Sequence, residues 1–281
     1  MNIETVIKKA FLELKNKNIE SALLDCEILM AKVLKEDRCK VLLNSERLLS
    51  NQDYKNFREL ISNRLKNMPI AYLTSQKSFW KYEFEINNKV LIPRPDTELI
   101  VEQVLKIYEN NRKIKFLEVG VGSGCLILSI LKERKPFLGV GVDLSKDCIN
   151  ICKVNAIKLG VQNRLKLFKT DIDNFNLGKY DLIVSNPPYI KKLDFKKLDK
   201  DVINYEPKLA LDGGLDGLSK IRKVIKKSSE LVKLNGKFII EIAHDQSKMV
   251  KKILIKNGFF VNKVVKDLSK NDRCIISTKT K

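Results

Sequence analysis

Hydrophobic residues recur at every third or fourth position through the first part of the chain, which is the period of an amphipathic helix. Val6, Ala10 and Leu14 lie on one such stripe, and a second stripe runs from Ala22 to Met30. Strand-like alternation of hydrophobic and polar residues does not occur in this region. The pattern predicts a small all-α N-terminal domain over residues 1–75.

A strand-like alternation follows this helical region. Residues 79–86 alternate between hydrophobic and polar side chains, residues 87–88 favour a tight turn, and residues 89–92 are again largely hydrophobic. We therefore predict a β-hairpin linker over residues 76–95.

The remainder of the chain, residues 96–281, predicts an α/β domain. Pro95 and Asp96 mark the start of a helix that runs to about Tyr108, with Asp96 as its N-cap. Short hydrophobic runs then alternate with amphipathic stretches, which is typical of a parallel sheet with helices on both faces. The predicted strands are residues 114–119, 138–142, 165–168, 182–185 and 238–243, followed by an antiparallel edge hairpin of residues 259–265 and 273–278. The predicted helices between them are residues 125–134, 146–159, 216–234 and 246–256.

Composition and charge narrow the class of protein. The chain has 281 residues, of which 44% are hydrophobic, and this content excludes an intrinsically disordered protein. Its 54 Lys and Arg against 34 Asp and Glu give a net charge of +20 at pH 7. Such a charge is typical of nucleic-acid-binding proteins, and also of a lysine-rich solvated surface that follows from biased composition. Charge alone leaves both interpretations open.

The cysteines and the histidine do not form a metal-binding pattern. The six cysteines contain no Cys-x-x-Cys pair, and the single histidine, His244, has no partner at metal-ligand spacing. We expect no metal site, and we expect free thiols in a reducing cytoplasm. No run approaches the roughly 18 consecutive hydrophobic residues of a membrane-spanning helix, so no membrane partner is expected.

A glycine-rich loop follows the first strand of the α/β domain. Glu118, Gly120, Gly122 and Gly124 lie between that strand and the next helix. Glycines let the backbone approach a ligand closely, and the helix N-terminus offers unpaired N–H groups. Asp143 ends the second strand, 23 residues after Gly120, where a carboxylate can accept hydrogen bonds from ribose hydroxyls. Together they predict a site for a ligand with an adenosine-like ribose, and the Gly-x-Gly-x-Gly spacing disfavours a nicotinamide dinucleotide.

A second loop carries the candidate chemistry: Asn186, Pro187, Pro188 and Tyr189 follow the strand 182–185. Proline lacks an N–H and has a restricted φ, so this loop is stiff and its carbonyl groups are not consumed locally. The Asn186 side-chain oxygen and the Pro187 carbonyl can accept both hydrogens of a substrate NH₂ group. Because an amide or aromatic amine nitrogen is a poor nucleophile, two such acceptors would raise its electron density and aim its lone pair. Tyr189 is expected to pack on a planar substrate.

The two loops and Asp143 resemble the class I S-adenosylmethionine-dependent methyltransferases that act on planar NH₂ groups. A narrower resemblance comes from the segment IPRPDTE at residues 92–98, from PIAY at residues 69–72 and from YEPKLALDGG at residues 205–214. These segments resemble the peptide chain release factor glutamine N5-methyltransferases, the HemK/PrmC family, and the resemblance covers essentially the whole chain.

This resemblance implies a seven-stranded, Rossmann-like methyltransferase sheet and transfer of a methyl group from S-adenosyl-L-methionine, without a metal. The implied acceptor is the side-chain amide nitrogen of the glutamine in the Gly-Gly-Gln loop of class 1 peptide chain release factors. The implied task of the N-terminal domain is to help dock that partner, and no nucleic acid is required.

The resemblance also implies roles for individual residues. Asn186 and Pro187 are the expected catalytic residues, with the Asn186 NH₂ group facing the cofactor. The expected substrate-binding residues are Asn186, Pro187, Pro188 and Tyr189. The expected cofactor-binding residues are Glu118, Gly120, Val121, Gly122, Ser123, Gly124, Asp143, Asp171, Ile172 and Asn186. Asp143 would bind the ribose, and Asp171 with Ile172 the adenine, where the family usually carries an aromatic residue in place of Ile172.

Two other functions remain open at this point. A methyltransferase for N6 of adenine or another exocyclic amine of a nucleic acid could use the same acceptors on a flipped base. A non-catalytic RNA- or ribosome-binding module could retain the fold, since fold alone does not establish activity. The charge of +20 favours a nucleic-acid methyltransferase, whereas the segment 92–98 and the nearly neutral helical domain disfavour it. An intact Asn186 argues against a non-catalytic module. The lysines after Tyr189 fit either a solvated face or a patch for an acidic or RNA-like partner.

Overall fold

A computed structural model describes residues 1–109 and 112–281. The chain divides into two compact units. The first unit comprises Met1–Gln76 together with the short segment Asp199–Tyr205, and the second comprises Lys77–Leu198 and Glu206–Lys281. We describe each unit by itself.

The helices and strands are numbered in chain order. The helices are α1 (Ile3–Lys15), α2 (Ala22–Leu34), α3 (Arg38–Leu43), α4 (Asn51–Leu65), α5 (Ile70–Thr74), α6 (Glu98–Ile107), α7 (Cys125–Glu133), α8 (Lys146–Lys158), α9 (Lys200–Tyr205), α10 (Ser219–Leu231) and α11 (Ser247–Lys256). The strands are β1 (Gln76–Phe79), β2 (Tyr82–Glu85), β3 (Lys115–Val119), β4 (Leu138–Asp143), β5 (Leu165–Lys169), β6 (Tyr180–Ser185), β7 (Val232–Glu241), β8 (Phe259–Lys266) and β9 (Asp272–Lys279).

The first unit is helical, which confirms the prediction of an all-α N-terminal region. Helices α1, α2 and α4 each bury one hydrophobic stripe, and Leu14, Leu29 and Phe57 meet in their common core. The Ser50 side chain caps α4 by accepting the N–H of Asp53, which satisfies one of the free donors at the start of that helix. The segment that contains α9 belongs to this unit, and the Tyr205 hydroxyl donates to the Lys66 carbonyl at 2.8 Å.

A two-stranded sheet of β1 and β2 is present, but its strands are not joined at the predicted turn. The chain does turn at residues 87–90, where the Val90 N–H donates to the Asn87 carbonyl at 3.2 Å, but no strand follows this turn. The chain reverses at Trp80, which has a positive φ of 57°, and residues 87–92 do not form a strand. Side-chain acceptors fix the observed turn: the Trp80 backbone N–H donates to Glu98 at 2.8 Å, and its indole N–H donates to Glu133 at 2.9 Å. The backbone N–H of Ile92 donates to the Glu206 carboxylate at 3.2 Å instead of to a neighbouring strand.

The second unit is built on a seven-stranded sheet with the order β5-β4-β3-β6-β7-β9-β8, which confirms the predicted fold class. The pairs among β5, β4, β3, β6 and β7 are parallel, and β9 is antiparallel to both β7 and β8. Hydrophobic residues of α6, α7 and α8 pack on one face of the sheet, and those of α10 and α11 pack on the other. Burial of both faces explains why the parallel strands read as nearly continuous hydrophobic runs.

Two predicted helix ends were also wrong. Asp96 does not cap a helix; it lies in a short 3₁₀ turn, Pro95–Thr97, and its carboxylate pairs with Arg273 at 3.2 Å. The helix predicted over residues 216–234 ends at Leu231, because Val232 is buried and pairs with Tyr180 of β6. In both cases a partner distant in sequence replaces the local interaction that the pattern favoured.

The topology brings three strand ends to one place. Strand β3 lies between β4 and β6, and all three run in the same direction. Their carboxyl ends therefore meet at one edge, where open α/β sheets bind ligands. The glycine-rich segment follows β3, Asp143 is the last residue of β4, and Asn186 follows β6.

Gly124 offers a test of how tightly the glycine loop is packed. Its φ is +82°, and a Cβ there would lie 2.6 Å from Cys152 Sγ and 2.9 Å from Leu128 Cδ1. We expect Gly124→Ala to lower the free energy of unfolding by about 2–4 kcal/mol, from left-handed backbone strain and from overpacking. Chemical denaturation measures this loss.

Gly160 is the matched control, because its φ is +67° but a Cβ there would meet no atom within 4 Å. Gly160→Ala should therefore show only the backbone cost of about 1–2 kcal/mol. Equal losses in the two variants would contradict the close packing at Gly124.

Candidate active site

A pocket lies where the carboxyl ends of β3, β4 and β6 meet, and most of the predicted site residues line it. The lining includes Glu118, Gly120, Val121, Gly122, Ser123, Asp143, Asp171, Ile172, Asn186, Pro187 and Pro188. Gly124 and Tyr189, which the sequence also predicts, are not among the lining residues. The pocket therefore joins the predicted cofactor loop and the predicted substrate loop in one cavity.

The glycine loop presents bare backbone to this pocket. Gly120 and Gly122 have φ values of +80° and +53°, and a Cβ built at either position meets no atom within 4 Å. A side chain there would extend into open space beside the loop rather than into the protein. The loop thus forms a cradle that glycine keeps clear for a ligand. Gly124 has a different task, since it is the N-cap residue of α7 and its missing Cβ leaves room for the close contact with Cys152.

Asp143 holds the glycine loop and retains capacity for a ligand. One carboxylate oxygen accepts the Ser145 N–H at 2.8 Å, and the other accepts the Gly122 N–H at 3.0 Å. Burial raises the pKa of Asp143, and these two N–H groups oppose that shift. A carboxylate has about four acceptor positions, so lone pairs remain for ribose hydroxyls.

Glu118 places a second carboxylate in the pocket. It is only 3% exposed, and it accepts the Ile127 N–H at 2.9 Å. Burial raises the pKa of Glu118 well above its usual range. A cationic ligand would favour the ionised form, so this position suits a positively charged group.

The third predicted carboxylate, Asp171, is paired with a residue that sequence reasoning missed. Lys223 on α10 contacts Asp171 at 2.7 Å and lowers its pKa, and Lys223 also contacts Asp173 at 2.8 Å. Ile172 is buried next to them and lines the same pocket. This end of the pocket therefore combines an apolar wall with an ion pair. The only signal for Lys223 in the sequence is its position, three residues after Lys220 on an amphipathic helix; both lysines line the pocket.

Asn186 is held by hydrogen bonds that the sequence did not reveal. Its Nδ2 donates one of its two hydrogens to Thr97 Oγ1 at 2.9 Å. Thr97 Oγ1 in turn lies 2.7 Å from Glu241 Oε2. The Tyr189 hydroxyl donates to Glu241 Oε1 at 3.1 Å. The ring that was expected to pack on the substrate is therefore held by a hydrogen bond within the protein. Asn186, Thr97, Glu241 and Tyr189 form one connected network.

Glu241 is the buried end of that network. It is 1% exposed, and burial raises its pKa from 4.5 to about 7. The hydrogen bonds from Thr97 and Tyr189 and the charge of Arg273 oppose this rise. The sequence signal for Glu241 is a charged residue at the carboxyl end of a hydrophobic strand. This strand pairs with β6, and a carboxylate there does not contribute to hydrophobic packing.

The segment 92–98 reaches the pocket through an ion pair between a half-buried arginine and a buried glutamate. Arg94 Nη2 lies 2.5 Å from Glu206 Oε1, and the Glu206 side chain is 1% exposed. Arg94 and Thr97 both line the pocket, together with Pro207, Leu209 and Ala210 that follow Glu206. The ion pair therefore joins two motifs of the sequence on one side of the cavity.

The structure offers no alternative centre for metal chemistry in the part of the chain that it describes. Within residues 1–109 and 112–281, no group of three His, Cys, Asp or Glu side chains is placed to hold a metal ion. His244 lies in the loop after β7, and all six cysteines are free.

Among the same residues, none of the helices has both the length and the hydrophobicity required to cross a membrane.

Comparison with known proteins identifies relatives for both units. The family model "PrmC N-terminal domain" matches residues 5–74, and "Methyltransferase small domain" matches residues 95–216. The release factor glutamine methyltransferase of Clostridium acetobutylicum is 36% identical over 99% of this chain and 99% of that protein. The protein of the same name from Leptospira interrogans is 39% identical over 99% of this chain and 98% of its own length.

Among solved structures, a methyltransferase from Pyrococcus furiosus superposes with a TM-score of 0.55. It is 17% identical, and the match covers 81% of this chain and 100% of that chain. A likeness at this identity concerns the fold, which is that of a methyltransferase.

The buried Glu241 predicts a pH-dependent stability. Because its pKa rises from 4.5 to about 7 on folding, the folded state keeps a proton that the unfolded state loses as pH rises through this range. The contribution of Glu241 to stability is therefore greatest below about pH 4.5 and is lost as pH rises through about 7. We expect Glu241→Gln to gain stability relative to wild type with rising pH, by about 3 kcal/mol at pH 8.

Denaturation curves of the two proteins at several pH values provide the measurement, and Glu83→Gln, at an exposed glutamate, is the control. A difference between Glu241→Gln and wild type that does not change with pH would show that Glu241 does not titrate in this way.

Proposed function

The chain belongs to the family of release factor glutamine methyltransferases, and from this membership and the pocket we propose that it methylates the glutamine of a Gly-Gly-Gln loop in class 1 peptide chain release factors. The methyl group comes from S-adenosyl-L-methionine and is transferred to the side-chain amide nitrogen. The observation that carries this proposal is the position of Asn186 and Pro187 in the same pocket as the glycine loop and Asp143.

The residues of the pocket fit S-adenosylmethionine from end to end. The glycine cradle at residues 120–124 and the Glu118 carboxylate suit the charged methionine end, and Asp143 suits the ribose. Ile172 offers an apolar surface for the adenine, with Asp171 held beside it by Lys223. We assign these residues to the cofactor on the chemistry of their side chains.

The substrate loop supplies positioning and electrostatics for a weak nucleophile. The Asn186 Oδ1 and the Pro187 carbonyl would accept the two hydrogens of the glutamine NH₂ group, which aims the nitrogen lone pair and raises its electron density. When bound, S-adenosylmethionine supplies a methyl group on a cationic sulfur that is already a strong electrophile. The chain therefore needs no general base before transfer, which agrees with the absence of His244 from the pocket lining.

We assign recognition of the release factor to the first unit. Its residues 5–74 match the PrmC N-terminal domain, a module separate from the methyltransferase model. The free thiols fit the reducing cytoplasm that we propose as its compartment. A nucleic-acid methyltransferase is the remaining rival because of the charge of +20, but the names of the full-length relatives favour a protein substrate.

The cofactor assignment predicts the effect of removing the Asp143 carboxylate. Asp143→Ala should weaken binding of S-adenosylhomocysteine about 10-fold or more, since hydrogen bonds to a charged group contribute about 1.5–3 kcal/mol. Calorimetric titration measures the affinity. Asp147→Ala is the control, because Asp147 is exposed on α8 and does not line the pocket. If the two variants bind equally well, the ribose is held by other residues.

The proposed reaction is tested by methyl transfer from labelled cofactor. The wild-type protein is mixed separately with a class 1 release factor, with transfer RNA and with duplex DNA, and peptide mapping locates the label. We expect the label on the glutamine of the Gly-Gly-Gln loop. Label in nucleic acid alone would establish the rival function.

The same assay tests Asn186. Asn186→Ala should lower turnover by about 10²–10³-fold, which is the usual cost of removing a positioned group from a preorganised site. Asn150→Ala, at an exposed asparagine of α8, should turn over normally. Full activity in Asn186→Ala would return the Asn-Pro-Pro-Tyr loop to a purely structural turn.

A further inference from the structure

The hydrogen bonds behind Asn186 have a direction. Tyr189 donates its hydrogen to one oxygen of Glu241, and Thr97 lies against the other oxygen at 2.7 Å. A hydroxyl has one hydrogen, so when Thr97 donates it to the carboxylate, its oxygen can only accept from a further partner. The partner is Asn186, which donates from Nδ2 at 2.9 Å.

This direction decides which end of the Asn186 amide faces the pocket. The oxygen and the NH₂ group of an asparagine are nearly equal in size, so the surrounding hydrogen bonds select between the two rotations. With Nδ2 bound to Thr97, Oδ1 lies on the opposite side of the amide. Only this rotation offers an acceptor to the hydrogens of a substrate NH₂ group. In the other rotation the Asn186 NH₂ group would face the substrate NH₂ group, and both are donors.

We propose that Thr97 and Glu241 are positioning residues that lock the Asn186 amide with Oδ1 toward the substrate nitrogen. This inference rests on the proposed function, because it assigns Asn186 the role of acceptor for the glutamine amide. Thr97 and Glu241 act through Asn186. Neither needs to touch the reacting atoms.

The surroundings of Glu241 determine when the lock operates. Tyr189, from the loop after β6, donates to Glu241, and Arg273 on β9 favours its charged form. Arg273 makes its own ion pairs with Asp96 at 3.2 Å and Asp267 at 3.0 Å, and the negative charge of Asp96 disfavours ionisation of Glu241.

The thiols close to Glu241 are those of Cys274, which lies opposite it in the β7–β9 register, and Cys125 at the start of α7. Burial raises the pKa of both thiols and the charge of Glu241 adds to the rise, so they are neutral at pH 7. Glu241 is therefore the group of this cluster that titrates near neutral pH, with its pKa raised to about 7 by burial.

Protonation of Glu241 would reverse the direction of the network. A neutral carboxyl can donate its hydrogen to Thr97 Oγ1. The Thr97 hydroxyl then donates to Asn186 Oδ1, which requires the amide to rotate and to turn its NH₂ group into the pocket. Ionised Glu241 thus specifies an acceptor at the substrate position, and neutral Glu241 specifies a donor. The lock gives turnover a dependence on pH that the methyl transfer itself does not require.

The first test changes Thr97 and measures kcat and KM for the release factor at saturating cofactor. Thr97→Val should lower kcat at least about 10-fold, because it keeps the shape but loses the hydroxyl, while Thr97→Ser should stay within about threefold of wild type. Thr278→Val is the control for the same change of side chain. Thr278 lies at the C-terminal end of β9, so this variant should have wild-type kcat. Binding of S-adenosylhomocysteine within about threefold of wild type shows that each variant is folded.

A double variant separates positioning from a merely structural role. If Thr97 acts only through Asn186, then adding Thr97→Val to Asn186→Ala should change kcat less than about twofold. A further loss of about 10-fold in the double variant, or wild-type kcat in Thr97→Val, would overturn the inference. The wild-type protein distinguishes a failure of this inference from a failure of the proposed function. If wild type leaves the release factor unlabelled, the proposed function itself is contradicted.

The second test is the pH profile of kcat. For wild type we expect kcat to decrease as the pH is lowered, with the slope of a single protonation. The midpoint should lie at or under about pH 7, because the cationic cofactor favours the ionised Glu241 carboxylate. Glu241→Gln should be slow at every pH and lose this dependence, since its carbonyl accepts from Tyr189 and its NH₂ group donates to Thr97. An unchanged profile in Glu241→Gln would overturn the role of Glu241.

Discussion

Parallel pairing of β3 with β4 on one side and β6 on the other is the constraint on which the site depends. It brings the ends of three strands to one edge, so residues 25 to 68 positions apart, such as Glu118, Asp143 and Asn186, share one pocket. Helices on both faces bury the sheet and keep these strands in register. The loops that carry the chemistry then need little internal structure, because rigid strands place their first residues.

Residues of the site that end hydrophobic runs could be predicted from the sequence. Glu118, Asp143 and Asn186 all lie at the ends of such runs, and the alternation of strands and helices is enough to place them at one edge of a parallel sheet. Thr97 and Glu241 could not be paired in the same way, since 144 residues separate them and neither pattern refers to the other. The ion pair between Arg94 and Glu206 spans 112 residues and was equally hidden.

The same limit explains the errors in local structure. The turn at Trp80 uses a left-handed backbone that sequence rules reserve for glycine or asparagine, and the hydrogen bonds to Glu98 and Glu133 make it stable. Aspartate is a residue type that is preferred at the N-cap of a helix. The Asp96 carboxylate nevertheless pairs with Arg273 of the last strand. Local propensity predicted the elements, and long-range polar contacts decided where several of them begin and turn.

The site also holds buried carboxylates that a stable core would exclude. Glu118 and Glu241 are each at most 3% exposed, and burial raises the pKa of both. Such groups reduce stability when ionised, so a buried carboxylate in the pocket and another behind Asn186 are consistent with functional roles. One carboxylate suits a cationic ligand, and the other sets the direction of a hydrogen-bond network.

The most direct measurement of this account is a neutron diffraction structure of the deuterated protein with S-adenosylhomocysteine and a Gly-Gly-Gln peptide. It locates the hydrogens on Asn186, Thr97 and Glu241. The account predicts that Asn186 Nδ2 donates to Thr97 and that Oδ1 lies about 2.9 Å from the glutamine amide nitrogen. An Asn186 NH₂ group facing the glutamine, or a glutamine bound through its carbonyl oxygen, would contradict it.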